Sequence, residues 1–338
     1  MLQLTPVPWT LLGLPDDFAL DHLELRLLAP TAAHGHDGGV VENFATIDYD
    51  TGESIAGGLF DQSIFGALDR DPSGTGDVRA DLQREHKRLP RERQLSFPEP
   101  RRDRFGCIEL AAPMLHPAVL IGDPRWLERG TGLSAKQLRL LNAEHVSLVV
   151  KSAGQPAVGS VVDSIDRHEL DASEVVLETG AEAIRGLLQR RGEPLDPVIE
   201  RVRAVPVLLR PIVPSQSDRF WVADLNHIYE RLVMRNFLLA SLEVEETPDF
   251  VFATQRALVM QTLEQLYRNH ACEHPLRDTH ERVVDGLLEL AGGPELGERL
   301  RRIEASVPEP GFEEVMPWEE LVTRRCLQAV GFELVRKG

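Results

Sequence analysis

Apolar residues recur at helical spacing in two neighbouring stretches of this chain. Leu225, Ile228, Leu232, Arg235, Leu239 and Leu242 are separated alternately by three and four positions, a stripe along one helix face with a single charged interruption. Phe252, Arg256, Val259, Leu263 and Leu266 form an answering stripe on a second helix, again with one arginine in it. Between them Glu243 to Thr247 is a charged run, and Thr247-Pro248 is a good helix start, because Thr can cap and Pro in the first turn loses no needed N–H. A short connection makes the two helices antiparallel neighbours. At 1.5 Å per residue, about 20 residues give an arm roughly 30 Å long. Phe237, Leu238 and Phe250 fall near its tip and off the paired stripe. They either pack on another part of the same domain or stay exposed and meet a protein partner.

The remaining pattern predicts a mixed α+β chain. Up to about residue 125 it is rich in Gly, Pro and Asp, with short apolar runs such as Leu23 to Leu28 and Ile108 to Ala112, which favours short strands and loops. Residues 126–212 are expected to form a helical body. Ser134 to Leu148 has a Ser cap and helical spacing, Ala181 to Arg190 continues it, and Val202 to Val213 is a β-like run broken by Pro206 and Pro211. The loop and helix pair span 213–292, with a helix predicted at His280 to Leu290. A helical tail at 293–338 holds Glu295 to Ala305 and Trp318 to Val330.

Composition narrows the function. The chain has 338 residues, 42% hydrophobic and 27% charged, as ordinary globular proteins do. Its net charge of −17 argues against an autonomous nucleic-acid binder, which presents a basic surface, and for protein partners. One stretch differs: Arg79 to Arg104 carries nine basic against five acidic side chains. Arg101, Arg102 and Arg104 are candidate phosphate contacts there, although a solvated loop explains the run more simply. Cys107, Cys272 and Cys326 are isolated and odd in number, which points to a reducing compartment. With no long apolar run, a cytoplasmic placement without membrane partners is expected.

Five ordered blocks carry a family resemblance. Gly58 to Gly66 (GLFDQSIFG), the preceding Glu42 to Gly52, Arg101 to Pro113 (RRDRFGCIELAAP), Gly180 to Ile184 (GAEAI), and Pro206 to Asn226 running into the helix pair look like successive segments of the bacterial RNA polymerase β′ subunit. The likeness covers roughly residues 20–292. It implies a clamp-like fold: a β-rich head, a helical body and a protruding antiparallel coiled-coil hairpin. In that family the hairpin docks the σ factor. The lid would lie near Val213 to Ala223, with Gln216, Asp218, Arg219 and Phe220. Arg235 matches the family's key σ-contacting arginine, with Asn236 beside it. Leu238 stands where the family has a basic residue and Gln255 where it has an acidic one. Leu239, Leu242, Phe250, Phe252, Arg256 and Thr262 complete the expected docking set.

The resemblance also marks losses. Most β′ subunits hold a structural zinc with four cysteines in the segment corresponding to Gly66 to Pro100, which here contains none. His86 alone cannot hold a metal, and His34 and His36 lack further ligands, so neither metal nor cofactor is expected. Polymerase chemistry needs aspartates converging on Mg²⁺, supplied in the family by a D-x-D-G-D loop that is absent here. Asp48-Tyr49-Asp50 and Asp69-Arg70-Asp71 read as turns. Cys272 and His274 are two positions apart and do not face each other on a helix. The reading is therefore a clamp-like protein, not an enzyme on its own, that binds a σ or elongation factor. The alternatives are a non-catalytic clamp portion of a divided polymerase that meets the core subunits, or an interaction protein that reuses the fold.

Overall fold

The structure, a computed structural model, describes residues 6–27, 37–48, 54–66, 104–153, 157–163, 166, 170, 174–193, 196–210, 212–214, 220–242, 246–306 and 317–337. Its strands are β1 (Leu23–Leu27), β2 (Asp37–Val40), β3 (Phe105–Leu115), β4 (Val146–Ser152), β5 (Val161–Asp163), β6 (Val175–Glu178), β7 (Val198–Ala204), β8 (Ile212–Pro214), β9 (Phe220–Val222) and β10 (Phe332–Arg336). The helices are α1 (Gln62–Phe65), α2 (Ala118–Ile121), α3 (Pro124–Thr131), α4 (Ala135–Asn142), α5 (Gly180–Arg190), α6 (Asp224–Ala240), α7 (Asp249–Arg268), α8 (Leu287–Ala291), α9 (Leu296–Ser306) and α10 (Trp318–Ala329). This is the mixed α and β composition expected.

Small sheets joined by helices replace one large sheet. β3 pairs with β2 in parallel and with β7 antiparallel, β4 lies between β5 and β6, β8 pairs with β9, and β1 pairs with β10. In β1 the alternation is plain: Leu23, Leu25 and Leu27 are buried while Glu24 and Arg26 between them are half-buried. The β3–β7 ladder runs in register from Gly106↔Ala204 to Glu109↔Arg201, breaks, and resumes at Met114↔Ile199. Pro113, which has no N–H to give a ladder, falls within the break.

The helical expectation was too long in two places. The Ser134 cap is present as a full capping box with Gln137, but α4 ends at Asn142 and not near Leu148. Glu144 adopts a left-handed φ of 65°, which stops the helix, and the β-branched run from Val146 enters a sheet instead. Likewise His280 to Leu290 is mostly loop. Asp278 Oδ1 accepts from the backbone N–H of His280 and of Arg282, Glu281 sits at φ 61°, and α8 begins only at Leu287. The run Val202 to Val213 divides into β7, a 3-10 turn at Val207–Leu209 after Pro206, and β8.

The core is continuous from the first described residues to the last. Leu11, Leu25, Phe60, Phe65, Met114, Tyr229, Tyr267 and Phe332 all lie in it. At its polar centre is Arg210, fully buried. Its guanidinium donates to Val205 O (2.9 Å), Asn226 Oδ1 (2.9 Å) and Leu59 O (2.6 Å), and Asn226 Nδ2 returns a bond to Arg210 O at 2.8 Å. The rings of Phe60, Phe65 and Tyr229 lie within 6 Å of it. Two sequence blocks, Gly58 to Gly66 and Pro206 to Asn226, thus meet on one side chain.

His116 is a second buried polar residue. It accepts from Ala118 N at Nδ1 and bonds Val330 O through Nε2, which ties the end of β3 to the turn between α10 and β10. Phe332 and Tyr267 pack against its ring. Burial lowers its pKa to about 4, only partly offset by the Val330 bond, so the imidazole is neutral at pH 7.

Candidate protein-docking site

α6 and α7 pack on each other, and apolar members of the predicted stripes are buried in the common core. Leu225, Ile228, Leu232 and Leu239 are buried on the first, and Val259, Leu263 and Leu266 on the second. Leu242 and Phe252 are partly buried against the same core. The pair is anchored to the body along its length, and one attachment, at Asn236 near the outer end of α6, sits at the ladder break. Asn236 Oδ1 accepts from Ala111 N and Asn236 Nδ2 donates to Glu109 O, both at 2.7 Å. The side chain thus supplies backbone partners where β3 departs from β7. Arg139 pairs with Glu264 at 3.1 Å, and Arg256 pairs with Glu144, which binds α7 to the end of α4.

On either side of Asn236 in α6, and at the start of α7, the surface changes. Met234, Phe237, Leu238 and Phe250 are 40%, 58%, 45% and 68% exposed, which is far more than their size favours for solvated side chains. Met234 was not singled out from the sequence, although its place off the stripe was a signal for it. Of the two sequence readings for the tip, exposure is what the structure gives to Phe237, Leu238 and Phe250.

The two arginines of the set point inward. Arg235 Nη1 donates to Leu258 O (2.7 Å), Thr262 Oγ1 (2.6 Å) and Gln261 Oε1 (3.3 Å), and Thr262 is itself fully buried and donates to Leu258 O. Burial lowers the pKa of Arg235 first, and neighbouring Arg231 adds to it; burial does the same to Arg256. Both stay cationic at neutral pH, held against α7 and Glu144. Gln255 Oε1 is shielded from solvent with no hydrogen-bond partner among the described residues.

Other sequence candidates fall apart from this surface. Phe220 begins β9, while Gln216, Asp218 and Arg219 lie outside the described residues, as do Arg101, Arg102, His34, His36, His86, Asp50 and the run Asp69 to Asp71. Arg104 is exposed just before β3. Cys272 Sγ bonds Arg268 O, and burial first, with Glu264 and Glu289, pushes the thiol up to about 12, so it is a poor nucleophile. Among the described residues no group of three or more His, Cys, Asp or Glu is placed to hold a metal ion, and no helix is long and apolar enough to cross a membrane.

No family model matches the chain. Individual relatives do. It is 23% identical to the DNA-directed RNA polymerase subunit beta′ of Opitutus terrae over 358 residues, 92% of this chain and 26% of that one. The corresponding subunit of Acholeplasma laidlawii is 27% identical over 295 residues, 74% of this chain and 21% of that one. That of Xylella fastidiosa is 25% identical over 319 residues, 81% of this chain and 22% of that one. The chain therefore resembles a portion of β′, as the sequence blocks indicated, and spans about a quarter of the length of the curated relatives it matches.

Proposed function

We propose that this chain is a β′-clamp-like transcription protein that engages a σ or elongation factor through an antiparallel coiled-coil hairpin formed by α6 and α7, without polymerase chemistry of its own. The observation that carries the reading is the exposed apolar end of a helix pair that is anchored to the body close to that end, at Asn236. An anchored pair positions its tip with little loss of freedom on binding, which favours affinity. The absence of a D-x-D-G-D loop from the sequence supports a binding role. The test is biolayer interferometry of the full chain against the purified σ and elongation factors of its host. Phe237→Ser with Phe250→Ser is expected to weaken the productive pair at least about tenfold, whereas Phe44→Ser, an exposed aromatic outside the helix pair, leaves it unchanged. If every factor binds the tip variant and the parent chain alike, the reading fails.

A second reading is that the chain supplies the clamp portion of a divided polymerase. What favours it is the breadth of the likeness, which reaches 92% of the chain and is not confined to the helix pair. It requires that the chain copurify with another carrying the missing aspartate loop. The net charge of −17 weighs against it, since a wall facing nucleic acid needs positive charge.

A further inference from the structure

We draw no further inference here: the strongest candidate, the apolar surface patch of Met234, Phe237, Leu238 and Phe250 at the exposed end of the α6–α7 pair, belongs to the docking site already described, and nothing in the structure shows what covers it.

Discussion

His116 makes this fold acid-sensitive from pH 6.5 downward, a window that opens above the ordinary range of carboxylates. Its folded pKa is about 4 and its ordinary value 6.5, so between these limits the unfolded chain binds a proton that the folded chain refuses. The stability that the neutral ring carries is fully present above pH 6.5 and is lost as pH falls towards 4. At about 1.4 kcal/mol per pH unit, roughly 2–3 kcal/mol disappears by about pH 4.5. Asp61 and Asp123 act lower, because hydrogen bonds to each carboxylate outweigh burial and hold its pKa below 3.8. Urea denaturation at pH 7 and about pH 4.5 should therefore show a larger drop for the parent chain than for His116→Gln, by roughly that amount. Identical drops would mean that His116 is not the group responsible. From the sequence this histidine was one of eleven with nothing to mark it, since its burial depends on Tyr267 and Phe332, far along the chain.

At the scale of elements, the helix pair is held to the body by a side chain that completes a strand. Asn236→Ala removes both bonds to β3 and leaves Ala111 N and Glu109 O without those partners. A cost of about 0.5–1.5 kcal/mol is expected, because both bonds are exposed and water can replace the lost partner, with faster hydrogen exchange at the Ala111 amide, while amides in β7 opposite Gly106 to Glu109 keep their protection. Uniform loss of protection would instead indicate global unfolding. The pair itself was legible, because a three-four repeat of apolar residues has few other uses. The roles of its polar members were not. A stripe interrupted by Arg235 predicts a buried stem but not that the guanidinium reaches three acceptors on α7. Asn236 was assigned beside a docking arginine, whereas its contacts are set by a ladder break about 125 residues away, at Glu109 to Met114. Periodicity also carried α4 past its end, since nothing local marks Glu144 as left-handed.

At the scale of the whole molecule, the last described strand belongs to the first layer of the core. β10 pairs with β1 from Leu27↔Phe332 to Leu23↔Arg336, Lys337 N bonds His22 O, and Glu304 accepts from the N–H of His22 and of Leu23. The sequence predicted two helices in 293–338, and α9 and α10 answer to them, but a five-residue strand with a distant partner leaves no periodic trace. Phe332→Ala, at a fully buried site, should cost about 3–5 kcal/mol. Calorimetry is expected to show one transition at lower temperature; a separate early transition with the remainder unchanged would mean that β10 is an independent appendage. The same pairing sets a timetable for biosynthesis. Ribosomes add roughly 5–20 residues per second, so β1 emerges well before its partner and waits on the order of 15–60 s with an open edge. Glu24 and Arg26, which alternate with the leucines of β1, put charges along that waiting strand and discourage it from accepting a stranger in the interval.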